Sequence, residues 1–117
     1  MDKVTIWHNP RCSKSRNSLA LLEEKGLEVE VLKYLDEVPS KEELKNMLSM
    51  LGMSSARELM RTKEAVYKEL NLAEENSEES LLNAMVENPK LIERPIVIKG
   101  NKAAIGRPIE KIIELLD

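Results

Sequence analysis

The 117-residue chain has no phenylalanine, and only one cysteine, one histidine and one tryptophan. Each scarcity closes off a class of function. A lone cysteine forms no internal disulfide, so a reducing, cytoplasmic setting is expected. One thiol and one imidazole are too few for a zinc site built on such ligands, and no metal is expected. With aromatics only at Trp7, Tyr34 and Tyr67, a net charge of −3 and no basic stripe, nucleic acid is a poor partner. No apolar run approaches the ~20 residues that cross a bilayer, so no membrane partner is expected. Val4 enters a strand directly behind Met1-Asp2-Lys3, so no signal peptide is expected. What is present, a third of the residues charged beside ordinary hydrophobic content, describes one globular domain long enough to bury a core.

Both scarce reactive residues fall in one stretch, His8-Asn9-Pro10-Arg11-Cys12-Ser13-Lys14-Ser15-Arg16-Asn17. The apolar run Val4 to Trp7 leads into it and the helical pattern Leu19-Ala20-Leu21-Leu22 leads away. A thiol at such a turn meets unpaired backbone N–H groups and the positive end of the helix dipole. Arg11, Lys14 and Arg16 add charge, and together these favour the nucleophilic thiolate. The same N–H groups suit an oxyanion such as phosphate, sulfate or arsenate. Against this stands the common fate of a free cysteine, burial as a small inert hydrophobe. His8, four residues earlier, either serves the thiol or is a satisfied histidine at a strand end.

In chain order, Val4 to His8 reads as a central strand, and a helix runs from Ser13 or Lys14 to Lys25, stopped at Gly26. Leu27 to Tyr34 reads as a second strand, giving a parallel βαβ unit. Ser40 and Glu43 form a capping box for a helix over Lys41 to Leu51, with Leu44, Met47, Leu48 and Leu51 on its apolar face and Gly52 at its end. A short helix follows Ser54 or Ser55, another turn holds Val66, Tyr67 and Leu70, and Ser77 caps a further helix with Leu81, Leu82, Met85 and Val86 inward. Pro95–Lys99 and Lys102–Ile105 form a hairpin about Gly100-Asn101. Pro108 then opens a last helix that buries Ile109, Ile112, Ile113 and Leu116. The expected fold class is α/β: a small mixed sheet, built as βαβ, a helical insertion over about 40–90 and ββα, in one domain spanning 1–117.

Arg61, Arg94 and Arg107 each lie at an element end or beside a proline. Were the first and third strands neighbours, Arg94 would project toward Cys12, and Arg107 would reach the same end one hairpin later. A guanidinium fork matches a tetrahedral oxyanion in two places and would offset its repulsion from a thiolate. Singly, each arginine is better read as a surface group paired with a glutamate such as Glu93 or Glu110.

The order of elements, with a cysteine at the first strand–helix turn, resembles the thioredoxin-like pattern, in which Pro95 takes the place of a cis proline facing the cysteine. The run His8-Asn9-Pro10-x-Cys12-x-x-Ser15-Arg16-Asn17 resembles the active-site signature of the glutaredoxin-coupled arsenate reductases. So do Leu59-Met60-Arg61, Tyr67-Lys68-Glu69-Leu70-Asn71-Leu72-Ala73-Glu74, Arg94-Pro95-Ile96-Val97 and Gly106-Arg107-Pro108, so the likeness spans essentially the whole chain. It implies that Cys12 attacks arsenate and that His8 is tied to activating it. Arg61, Arg94 and Arg107 would bind the oxyanion, while Asn9, Ser15 and Pro95 shape the loop. It further implies glutathione as co-substrate, glutaredoxin as protein partner, and no bound cofactor.

Two relatives of the same broader family offer other functions. One is a group of redox-responsive regulators that bind RNA polymerase, many of which carry a Cys-x-x-Cys redox switch; this chain has Cys12-Ser13-Lys14-Ser15 instead. The other is a glutathione-dependent thiol reductase without arsenate activity. The absence of a second cysteine requires any reduction to draw on an outside thiol.

Overall fold

A computed structural model describes residues 3–107 and 109–116. The chain divides into two compact units, one from Met1–Glu37 with Arg94–Asp117 and one from Val38–Glu93.

The first unit is a four-stranded sheet. β1 (Lys3–Trp7) pairs in parallel with β2 (Glu28–Leu32) and antiparallel with β3 (Ile96–Lys99), and β3 pairs antiparallel with β4 (Lys102–Ile105). The order β2-β1-β3-β4 makes β1 and β3 the central pair. β2 is shorter than its apolar alternation predicts, because its register with β1 ends at Trp7↔Leu32 and the His8 N–H then closes on Leu32 O at 2.8 Å. The hairpin turns at Gly100, whose φ of 63° suits a residue without Cβ.

α1 (Ser13–Glu24) and α5 (Glu110–Leu116) pack on this sheet. Leu22 of α1 and Ile112 of α5 join Val4, Ile6 and Val97 in one buried cluster, with Leu19, Leu21, Leu27 and Val29 around it. The expected apolar face of the last helix needs correction. Ile112 is fully buried, but Ile113 is 36% exposed and Leu116 only half-buried, because seven residues give one buried row rather than a broad stripe. Pro108, expected at its first position, lies outside the described residues.

The second unit is helical. α2 (Lys41–Leu51) starts on the capping box of Ser40 and Glu43 and ends at Gly52 in the left-handed region, φ 72°. Leu44, Met47 and Leu48 are buried and Leu51 is half-buried. A 3-10 turn, Ala56–Leu59, is capped by Ser55, and α3 is the single turn Ala65–Glu69, leaving Leu70 exposed. A second 3-10 turn, Leu72–Glu74, follows Asn71 at φ 53°. α4 (Glu78–Glu87), capped by Ser77, buries Leu81, Leu82 and Met85 and touches α2. A third 3-10 turn, Pro89–Leu91, ends the unit. Among the described residues no helix is long and apolar enough to cross a membrane.

Candidate active site

The turn between β1 and α1 is built by Asn9. Its carbonyl accepts the Cys12 N–H at 3.0 Å, its Oδ1 accepts the Arg11 N–H at 3.0 Å, and its own N–H donates to Ser15 Oγ at 3.0 Å. Arg16 Nη1 donates to Pro10 O at 2.9 Å, tying the tip of the turn to the helix. Cys12 is left as the N-cap of α1, φ −94°, ψ 123°, with its sulfur half-buried.

Burial taken alone pushes the Cys12 thiol upward. The backbone N–H groups of Ser15 and Lys14 face the sulfur, although neither closes a capping hydrogen bond, and with the charge and donors of Arg94 they outweigh that penalty. The thiol ends below its ordinary value, as a helix N-terminus with nearby cations should make it.

Two of the three arginines singled out from the sequence converge here. β3 runs beside β1, so Arg94, just before it, comes to the Cys12 end of the sheet. Arg107 follows β4; its Nε donates to Arg94 O at 2.7 Å and its Nη2 to Cys12 Sγ at 3.5 Å. Arg94 Nε is buried with no hydrogen-bond partner among the described residues. The Arg94–Pro95 bond is cis. Pro95 O accepts the Gly106 N–H at 2.9 Å, which joins the two arginine-bearing turns.

His8 is buried, and its Nδ1 lies 2.7 Å from the Oγ of the fully buried Ser15. Its hydrogen-bond partner is therefore Ser15. Burial first, then the charges of Lys33 and Arg16, lowers its pKa, so the ring is neutral at pH 7. Ser15 is more than a shaping residue, since it fastens the end of β1, the turn and the first turn of α1 together. Arg61 lies in the second unit, where its Nη1 meets Glu64 at 3.1 Å and its Nε meets Glu93 at 3.5 Å.

Sequence reasoning passed over Arg57, which donates to Tyr67 Oη, Leu72 O and Glu75 O at 3.3, 2.8 and 2.5 Å. No local pattern marks it, because its acceptors, one hydroxyl and two carbonyls, lie 10 to 18 residues further along the chain. Among the described residues no three His, Cys, Asp or Glu side chains gather as a metal site.

The sheet order and the cysteine turn place the protein in the thioredoxin-like class. Within it, the chain belongs to the ArsC family, whose profile matches residues 7–115. It is 51% identical over 117 residues to an arsenate reductase of Neisseria meningitidis, covering 99% of this chain and 100% of that one. It is 57% identical over 115 residues to an uncharacterized protein of Escherichia coli K12, covering 97% of each. Among solved structures it matches an arsenate reductase from Vibrio cholerae, TM-score 0.93 at 52% identity over 97% of each chain. A putative arsenate reductase from Yersinia pestis matches with TM-score 0.92 at 56% identity, over 95% of this chain and 98% of that one.

Proposed function

We propose that the protein reduces arsenate to arsenite, with Cys12 as nucleophile and glutathione and glutaredoxin as the cytoplasmic source of electrons. The observation that carries this reading is the sulfur at the N-cap of α1 with Arg107 Nη2 3.5 Å away and the charged Arg94 side chain in hydrogen-bonding reach of it. A lowered thiol supplies the attacking thiolate, and two guanidinium groups with the helix N–H groups hold a tetrahedral oxyanion against it. Arg61 enters as a third oxyanion ligand through the family resemblance.

Cys12 thiolate forms a sulfur–arsenic(V) bond as an arsenate oxygen leaves as water. Glutathione displaces a second arsenic oxygen as water to give a Cys12–arsenic(V)–glutathionyl adduct. A glutaredoxin thiol takes the glutathionyl sulfur as a disulfide and leaves two electrons on arsenic. One water then cleaves the Cys12–arsenic(III) bond, releasing arsenite and restoring the thiol. In sum, one arsenate and two thiols give one arsenite, one disulfide and one water. His8 and Ser15 hold the turn in register throughout, and Cys12-Ser13-Lys14-Ser15 supplies no second thiol, so the resolving thiols come from outside. The test is arsenite production by the purified protein with arsenate, glutathione and glutaredoxin. Full activity is expected only with all of them, none is expected from Cys12→Ser, and no arsenite from the complete mixture would refute the reading.

A further inference from the structure

On the β2 side of the cysteine turn lies a cleft of about 340 Å³, within the range of small-ligand sites. Its walls include His8 and Arg11 from the turn and Lys33, Leu35 and Asp36 from the segment after β2. The Asp36 N–H to Lys33 O bond, 2.9 Å, fixes that second wall, and the Cys12 N–H to Asn9 O bond makes the first wall and the nucleophile parts of one turn. Among the described residues, Arg11, Lys33 and Asp36 take part in no ion pair. Two cations and one carboxylate thus line one concavity without neutralising each other, and the 37%-exposed Leu35 adds an apolar contact.

Glutathione at neutral pH carries two carboxylates and one ammonium, the inverse of that charge set. Resting on the proposed arsenate chemistry, we propose that this cleft seats glutathione. Arg11 and Lys33 take its two carboxylates and Asp36 takes its γ-glutamyl ammonium, which holds the tripeptide against the turn that carries Cys12. A concave site of this size fits a tripeptide rather than the flat face of a protein partner. Charge-assisted bonds to both ends of the tripeptide would also select it over neutral thiols.

The test uses Lys33→Glu and Asp36→Lys, both at exposed positions where the fold tolerates a charge. Each should raise KM for glutathione by about tenfold or more, with KM for arsenate within about twofold of the unaltered protein. Separately, S-methylglutathione, which has no thiol, is titrated into the unaltered protein. The ring signals of His8, the chain's one histidine, and the amides of Lys33 to Asp36 should shift, and Lys33→Glu should abolish the shifts. An unchanged KM for glutathione in an active enzyme, a KM effect on glutaredoxin alone, or shifts confined elsewhere would each overturn the assignment. Failure of the unaltered protein to make arsenite would refute the arsenate reading, and the titration would still decide the cleft.

Discussion

Replacing Ser15 with alanine removes one oxygen and breaks two bonds at once. Its Oγ lies 2.7 Å from His8 Nδ1 and accepts the Asn9 N–H at 3.0 Å, and both Ser15 and His8 are at most 5% exposed. Leaving a buried polar group unpaired costs about 1–3 kcal/mol. The Asn9 N–H, in a half-buried residue, falls at the low end of that range and the imidazole in the middle. Alanine returns up to about 0.5 kcal/mol through its better helix propensity. The expected net loss is about 2–3 kcal/mol, read from urea unfolding of Ser15→Ala against the unaltered chain. A cycle with His8→Phe, which keeps a ring and removes its nitrogens, should show coupling of about 1 kcal/mol or more. A cost below about 0.5 kcal/mol, or strict additivity in the cycle, would show that Ser15 does not hold this turn.

Three further outcomes follow from the same geometry. The pH midpoint of Cys12 alkylation should lie below that of a free cysteine, and Arg94→Ala should move it upward, because that side chain is among the groups offsetting burial. His8 has a lowered folded pKa, so its contribution to stability is complete above its unfolded pKa of about 6.5 and is lost as pH falls through the folded value. His8→Phe should flatten that acid-side slope in unfolding free energy. Gly106→Ala would place a Cβ 2.6 Å from Ile112 Cδ1, 2.7 Å from Ser18 Oγ and 2.9 Å from Pro95 Cγ, and unfolding should show a loss of about 1–3 kcal/mol.

The elements that local chemistry determines could be read directly. The Ser40–Glu43 box, the Gly26 and Gly52 stops and the Gly100-Asn101 turn act within a few residues, and they fall where the sequence puts them. Strand length was less legible, because β2 ends where its partner ends and the partner is not in its own sequence. Ile113 illustrates the same limit: helical spacing admits it to the apolar face, but only packing decides how wide that face is. At the site, Cys12 and the turn before it are contiguous and visible. The meeting of Arg94 and Arg107 with a sulfur some 80 to 95 positions earlier depends on β3 pairing with β1, which spacing alone leaves open. Ser15 reads as one more helical serine until the burial of His8 gives its hydroxyl a partner.

Arg107 distinguishes charge from shape in this site. One planar group donates from Nε to Arg94 O and from Nη2 toward Cys12 Sγ, so the carbonyl bond fixes the direction in which the remaining donors face. A lysine carries the same charge on a flexible stem, and its ammonium has no rigid fork with which to hold the carbonyl and address the sulfur in that geometry. If pre-set direction matters, Arg107→Lys should lose about 1.4–2.7 kcal/mol in kcat/KM for arsenate, about 10- to 100-fold, while retaining a lowered Cys12 alkylation midpoint. Arg107→Ala should lose at least as much. Recovery of full kcat/KM by the lysine would mean that a point charge suffices and that the bond to Arg94 O is incidental to the chemistry.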